Sequence, residues 1–476
     1  MPVGWMVRRS SYFDSIALMR AAEHARQITG VGDVAAVMGT PANRAMLAEA
    51  GLIAKETPDT AVSDLLVAVR AATEEAVRMA LARVGELLKA RGDGDVDPRH
   101  AAPRTTLSAA RAAADATLAL IAVPGPDAVV DAHQALSAGL HVFLFSDGVP
   151  MEDEVALKRR ARARDLLVMG PECGTAIVNG VGLGFANRVR RGSIGVVGAS
   201  GTGIQELTTL VHRLGGGISH AIGTGGRDLH ATVGGITTRQ ALALLGSDAD
   251  TRVIVLVSKP SSREVGDAVL AAAATIGKPL VACLLGYAGA MPAGVRAAET
   301  LEEAAIAAVE LGGGRVPGLR GPDTTSRGRG AIRGLYTGGT LCEESRRLVG
   351  YGHRLIDFGA EEYTRGRPHP IIDPSLRHAA ILEAAADQGV GVLLVDLVIG
   401  DCAHPDPAAA LGPVLAEAFS RARGAGRDLA VVAHVVGTER DPQDLARQEE
   451  TLRKRGVVVC ASNRLAALTA LAISGR

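Results

Sequence analysis

The sequence has few aromatic residues: Phe, Trp and Tyr make up 3% of 476 residues, and tryptophan occurs once. So few ring faces leave little on which nucleic-acid bases could stack. Net charge is missing too. Lysine plus arginine and aspartate plus glutamate number 51 each, so no global field draws the chain to nucleic acid or to an anionic membrane. Cys173, Cys283, Cys342, Cys402 and Cys460 lie far apart without a CxxC pair. That pattern speaks against disulfides and against zinc or another metal, with only Cys402 and His404 close together. No apolar run approaches the ~20 residues of a membrane span. Arg8-Arg9 has no apolar segment behind it and reads as solvated charge, not as an export signal. These absences predict a cytoplasmic chain whose partner is small.

Glycine, by contrast, is plentiful at 58 residues. It concentrates in the stretch the chain is organised around, residues 192–229. Ile194–Val197 is a short apolar run that reads as a buried parallel strand. It breaks at Gly198-Ala199-Ser200-Gly201-Thr202-Gly203, and helical spacing resumes through Leu207, Leu210, Val211 and Leu214. Such a turn lets backbone N–H groups and a helix N-terminus converge on a phosphate or carboxylate. A second strand ends at Gly223-Thr224-Gly225-Gly226-Arg227-Asp228, and the carboxyl ends of neighbouring parallel strands line one crevice. A turn kept only for packing is the competing reading.

Composition and alternation predict an α/β protein of several parallel-sheet domains. Residues 1–100 form a small α/β domain, in which Thr40-Pro41 caps a helix. Residues 101–190 read as a Rossmann-like βαβαβ run, with Cys173 a buried small apolar residue. Residues 191–311 form a domain of flavodoxin-like strand order, residues 312–331 a Gly-, Pro-, Ser- and Arg-rich linker, and residues 332–476 a last domain. That domain opens with a strand, then Thr337-Gly338-Gly339-Thr340 and a helix, a second nest. Gly92–Pro98 is a further turn-rich linker. Lys259 at a strand end points to solvent or binds a phosphate oxygen. His220 on an apolar strand reads as a hydrogen-bonded core residue. His369, in Gly366-Arg367-Pro368-His369-Pro370, is a functional loop histidine or a surface turn residue.

The motifs GASGTGIQE, HAIGTGGRDL, GLYTGGTL and MGTPAN resemble the FdrA family over nearly the whole chain. The stretch VPGPDAVVDAHQALSAGLHVFLFSDGVPMEDE with MGPECG resembles the CoA-binding domain of succinyl-CoA synthetase α. The 191–311 segment resembles that subunit's ligase domain, and the last domain resembles the β subunit's C-terminal ligase domain. The resemblance to the synthetases implies a phosphate held between two helix N-termini and an acidic residue, here Glu206, steadying it; a first-turn glutamate favoured by the helix dipole is the alternative. The synthetases' phosphohistidine has no counterpart: Gly286-Tyr287-Ala288-Gly289-Ala290 stands in its place, and tyrosine is no substitute nitrogen nucleophile. Nothing between 92 and 117 resembles the glycine loop that holds CoA, and nothing resembles a nucleotide-activating module.

The FdrA resemblance implies a component of an oxamate carbamoyltransferase that interconverts oxalurate plus phosphate with oxamate plus carbamoyl phosphate. The implied phosphate site comprises Gly198, Ser200, Gly201, Thr202, Gly203, Gly225 and Gly226, facing Gly338, Gly339 and Thr340. Arg227 would bind the substrate carboxylate or the oxyanion, Glu206 would orient or move a proton, and His369 completes the catalytic candidates. The expectation is that the chain requires no cofactor, that inorganic phosphate or an acyl phosphate is co-substrate, and that it assembles with itself and with other subunits. An ADP-forming acyl-CoA synthetase subunit and a non-catalytic or CoA-sensing scaffold are the two alternatives.

Overall fold

The alternation of strands and capped helices is realised as four sheets. The computed structural model describes residues 1–9, 11, 13, 15–53, 57–89, 105–259, 262–316, 318, 319, 321, 328–364 and 368–475. The linker expected at 92–98 lies outside the described residues, as does much of 312–331. Two compact units emerge, residues 1–103 with 365–368, and residues 104–364 with 369–476.

In the first unit, β1 (Val3–Arg8), β2 (Val31–Met38) and β3 (Leu65–Ala71) form an antiparallel sheet in the order β1-β3-β2. The central strand, LLVAVRA, is apolar on both faces because both are covered. Helices α1 (Ser15–Arg26) and α3 (Glu74–Lys89) bring Leu18, Ala21, Val77, Ala80 and Val84 against Val67 and Val69. On the other face Leu47 of α2 (Pro41–Glu49) packs near Leu66 and Ala68. Thr40 caps α2 by accepting from Asn43 N at 3.2 Å, with Pro41 in the first turn.

The second unit opens with α4 (Thr106–Ala112) and a parallel sheet of β4 (Leu118–Ile121), β5 (His141–Leu144) and β6 (Val168–Met169), joined through α5 (Gly125–Ser137) and α6 (Met151–Arg162). A hairpin follows, β7 (Thr175–Val178) and β8 (Val181–Gly184). Its two-residue turn, Asn179-Gly180, has φ of 54° and 80°, which suits a twisted hairpin. Next come β9 (Arg191–Gly198), α7 (Gly201–Arg213), β10 (Ile218–Gly223), α8 (Ile236–Ser247), β11 (Val253–Ser258), α9 (Arg263–Ala274), β12 (Leu280–Leu284), β13 (Val295–Ala297) and α10 (Leu301–Leu311). The sheet runs β13-β12-β11-β9-β10-β7-β8. Its five parallel strands have the flavodoxin-like order. The boundary expected at residue 190 is corrected: β7 pairs antiparallel with β10, so the hairpin belongs to this sheet and not to the preceding one.

The third large sheet contains β14 (Ala331–Tyr336), β15 (Arg354–Asp357), β16 (Val390–Val398), β17 (Ala430–Val436) and β18 (Val458–Cys460), all parallel, in the order β15-β14-β16-β17-β18. This is the flavodoxin-like order again. Its helices are α11 (Gly339–Val349), the short α12 (Glu361–Thr364), α13 (His378–Ala386), α14 (Pro407–Gly424), α15 (Leu445–Arg453) and α16 (Asn463–Ser474). One apolar core runs through both flavodoxin-like sheets: Ile204, Leu207 and Val211 of α7 share it with Leu341 of α11, Val432 of β17 and Ala466 of α16. The strand ends that launch α7 and α11 are thereby brought face to face.

Candidate functional site at the meeting of two helix ends

The amides of a helix's first turn have no partner within the helix, which makes each N-terminus a ready anion site. In this fold two of them meet. Ser200 caps α7, accepting from Gly203 N at 3.0 Å, and its hydroxyl is hydrogen-bonded to that of Thr340 in α11. The close approach depends on missing side chains. A Cβ on Gly203 would lie 3.0 Å from Thr340 Cγ2, and one on Gly338 would lie 3.0 Å from Thr202 Cβ. Those two glycines let the helix ends touch. Gly201 is less hemmed in, the nearest atom to a Cβ there being Thr175 Oγ1 at 3.5 Å. At Gly339 a Cβ would meet Asp357 Oδ2 at 2.4 Å and Lys259 Nζ at 3.3 Å.

Not every predicted donor is free for a ligand. Asp396, buried in β16, accepts from Thr337 N at 2.6 Å and Gly338 N at 2.8 Å, and its carboxylate also takes Arg377 Nη1 at 3.1 Å. The second nest is therefore corrected to the first turn of α11, because a built-in carboxylate already satisfies the Gly338 amide. Gly198 serves packing, since a Cβ there would strike Ile204 Cγ1 at 2.7 Å.

The first-turn placement of Glu206 is corrected as well. The residue lies in the second turn of α7, not the first, and is 1% exposed. Its carboxylate receives His434 Nε2 at 2.7 Å and Asn463 N at 3.1 Å, joining α7 to β17 and to the start of α16. Asn463 Nδ2 continues the network to Glu344 at 2.6 Å, and Glu344 accepts from Leu301 N at 2.7 Å. Burial, opposed by those hydrogen bonds, pushes the Glu344 carboxyl up to about 7. Burial opposes charging His434, yet the carboxylate of Glu206 and its hydrogen bond outweigh it and hold the imidazole above its ordinary value.

Arg227 and Asp228 do not pair with each other. Arg227 Nε lies 3.0 Å from Glu154 Oε2, and its Nη2 donates to Val149 O at 2.8 Å, so its contacts face the small sheet. Asp228 takes the buried ammonium of Lys158 at 2.7 Å and caps α8 through Thr238 N at 2.8 Å. Gly225, with φ of 87°, passes close over Pro171 O, and a Cβ on Gly226 would lie 3.9 Å from Glu172 Oε2. The Gly223–Gly226 loop leaves β10 beside the end of β9, where Gly223 pairs with Gly198. A Cβ on Gly223 would meet Cys173 Sγ at 2.5 Å. Burial pushes the Cys173 thiol up to about 12, so it acts as a packing residue. His220 accepts from Asn179 N at 3.2 Å and lies half-buried on β10.

His369 stands near the α11 end. A Cβ on Gly359 would meet its Nε2 at 2.8 Å and Asp357 Oδ1 at 3.1 Å. Its ring lies 5.9 Å from that of Phe185. Burial and then the Arg377 charge push its pKa down to about 4, so the ring is neutral at pH 7. Since Nδ1 accepts from Ile371 N at 3.2 Å, the proton is on Nε2. Arg365 and Arg367 lie outside the described residues. The sequence reading missed Asp357 and Asp396, whose only local signal is an acidic residue at or near the end of an apolar strand.

Two flavodoxin-like domains joined at helix N-termini define a CoA-ligase-type architecture. Residues 189–286 match the CoA binding domain family, residues 335–473 the CoA-ligase family, and residues 1–103 the AllF heavy metal-associated domain family. The CoA-binding match thus falls on β9–β12 and not on the 101–190 segment. Protein YahF of Escherichia coli (strain K12) is 36% identical, and the alignment covers 97% of each chain. The chain belongs to the FdrA family, among its YahF-like members. The α subunit of ADP-forming succinate–CoA ligase from Aquifex aeolicus is 30% identical over 36% of this chain and 57% of that subunit. Among solved structures, dinucleotide forming acetyl-coenzyme A synthetase 1 of Ca. Korarchaeum cryptofilum is 17% identical over 75% of this chain and 82% of that one, with a TM-score of 0.34.

Residues 1–103 contain no cysteine and only the histidines His24 and His100. Among the described residues no group of three His, Cys, Asp or Glu could hold a metal ion, and no helix is long and apolar enough to cross a membrane.

Proposed function

We propose that the chain is the phosphate-handling subunit of a carbamoyltransferase, interconverting oxalurate plus phosphate with oxamate plus carbamoyl phosphate in the cytoplasm. The observation that carries this reading is the meeting of the α7 and α11 N-termini through Ser200 and Thr340. Phosphate would sit at the mouth of this junction, beside Gly201 and Gly339, where first-turn amides and the Lys259 ammonium stabilise its charge. As phosphate attacks the ureido carbonyl, negative charge develops on oxygen, and the His369 Nε2–H is a neutral donor at the same mouth. The reaction transfers an acyl group already present, so it needs no nucleotide, and it assigns CoA no part. The ADP-forming CoA ligases among the relatives support acyl-group chemistry on this fold and make acyl-CoA formation the competing activity.

The test is direct. The purified full chain, alone and with the products of adjacent genes, is supplied with oxalurate and inorganic phosphate, and carbamoyl phosphate is measured. Phosphate-dependent release supports the reading. Acyl-CoA cleavage by phosphate, without carbamoyl phosphate formation, replaces it with the ligase alternative.

A further inference from the structure

Proton transfer is the part of this reaction that the helix ends cannot perform. The leaving group of phosphorolysis is an amide nitrogen, a poor anion, so a proton must reach it as the carbon–nitrogen bond breaks. Glu206 is shut away between the domains and Arg227 never deprotonates.

Asp357 ends β15 beside the first turn of α11 and is only half-buried. Oδ2 and Lys259 Nζ both lie within 3.3 Å of the point a Gly339 Cβ would occupy. Oδ1 accepts from Gly359 N at 2.9 Å and shares the space over Gly359 with the neutral His369. The charged groups facing it are Lys259 from the end of β11, Arg346 from α11 and Asp396 from β16. Burial raises its carboxyl, and Lys259 restrains the rise, leaving it at about 6. An acid poised there can both give and take a proton near neutrality.

We propose that Asp357 is the proton carrier of the transfer reaction, with Lys259 as its counter-charge. This assignment rests on the carbamoyltransferase reading. In phosphorolysis an oxygen of hydrogen phosphate bonds to the ureido carbonyl carbon, and the carbon–nitrogen bond breaks with its electron pair going to nitrogen. That nitrogen takes the proton of the Asp357 carboxyl, and the phosphate's proton then restores the acid. Phosphorolysis therefore starts from protonated Asp357, and, because the acid is restored at its end, so does the reverse reaction.

The experiment follows both directions across pH 5–8 in the full chain. The forward and the reverse rates both fall as pH rises through about 6. D357N loses about 100-fold or more in both directions and both pH limbs, while binding of inorganic phosphate, measured by calorimetry, persists. K259M, at an exposed side chain, moves both limbs upward by about one pH unit because the acid loses its cation. If D357N turns over with unchanged limbs, the assignment is overturned while the carbamoyltransferase reading stands. If D357N fails to fold, K259M decides, and unmoved limbs overturn the assignment. A wild-type chain inactive in both directions overturns the reading itself and the assignment with it.

Discussion

The bridge between Glu206 and His434 sets up a test of how the two flavodoxin-like domains are held. His434 Nδ1 faces Cys460 O at 3.1 Å, an acceptor, so Nδ1 carries a proton. Nε2 then faces the Glu206 carboxylate at 2.7 Å, and a hydrogen bond there needs a second proton on the ring. The pair is thus held together by a proton that leaves when pH exceeds the raised value of His434. The folded value lies above the unfolded ~6.5, so this stabilisation is complete below ~6.5 and is lost as pH rises through the folded value. Glu344, up to about 7 when folded, lowers stability as pH rises from its ordinary 4.5 to that value, so the His434 effect is read above pH 7. E206Q keeps an oxygen for Asn463 N and offers an NH2 to neutral Nε2. It should match the parent within ~1 kcal/mol at neutral pH and stay flat above it, where the parent declines. E206A strands the imidazole and the Asn463 amide and should cost about 3–5 kcal/mol. The second unit has roughly 370 residues. At ~2.1 cal/mol/K per residue its unfolding entropy is ~0.8 kcal/mol/K, so E206A should lower Tm by about 4–6 °C. Melts by circular dichroism from pH 6 to 9 check both variants. An E206Q that declines in parallel with the parent, or an E206A that melts within a degree of it, refutes the protonated bridge.

Two further outcomes follow from the site. G339A places a Cβ 2.4 Å from Asp357 Oδ2 and should displace that carboxyl, so turnover falls by an order of magnitude or more while the melting curve stays cooperative; steady-state kinetics beside a melt check it. D396A removes the acceptor of Thr337 N and Gly338 N and strands the buried Arg377, costing about 3–5 kcal/mol in urea unfolding.

The sequence displayed what is local. The apolar run Ile194–Val197, the Ser200 cap and the helical spacing after it are all found within a few residues of where they are read, and the parallel pairing within both flavodoxin-like sheets follows from strand–helix alternation. The hairpin at 175–184 was also legible: Asn179-Gly180 between Val178 and Val181 is a strong turn signal, overridden by a domain boundary placed at 190. The antiparallel pairing of the first unit was hidden, because helices between strands suggest parallel order whether or not the chain crosses over. His434 and Asp396 lie inside uniformly apolar strands, where nothing local separates a satisfied core residue from one that binds across a domain interface. Their partners, Glu206 and the Thr337 and Gly338 amides, lie 228, 59 and 58 residues away. Asp357 becomes notable only once Lys259 and Gly339 are seen beside it.

The contact between Ser200 and Thr340 spans 140 residues of one polypeptide. Were its two halves separate chains, each encounter would sacrifice ~4–15 kcal/mol of translational and rotational freedom. Tethering replaces that encounter with an internal one at an effective concentration of order millimolar. The two helix ends therefore meet at a strength independent of how much protein the cell makes. Dilution cannot separate them, a half from another molecule competes poorly for the same position, and the ratio of one helix end to the other is fixed at synthesis. Control over this junction has to act on what enters it, since its assembly is no longer an adjustable step.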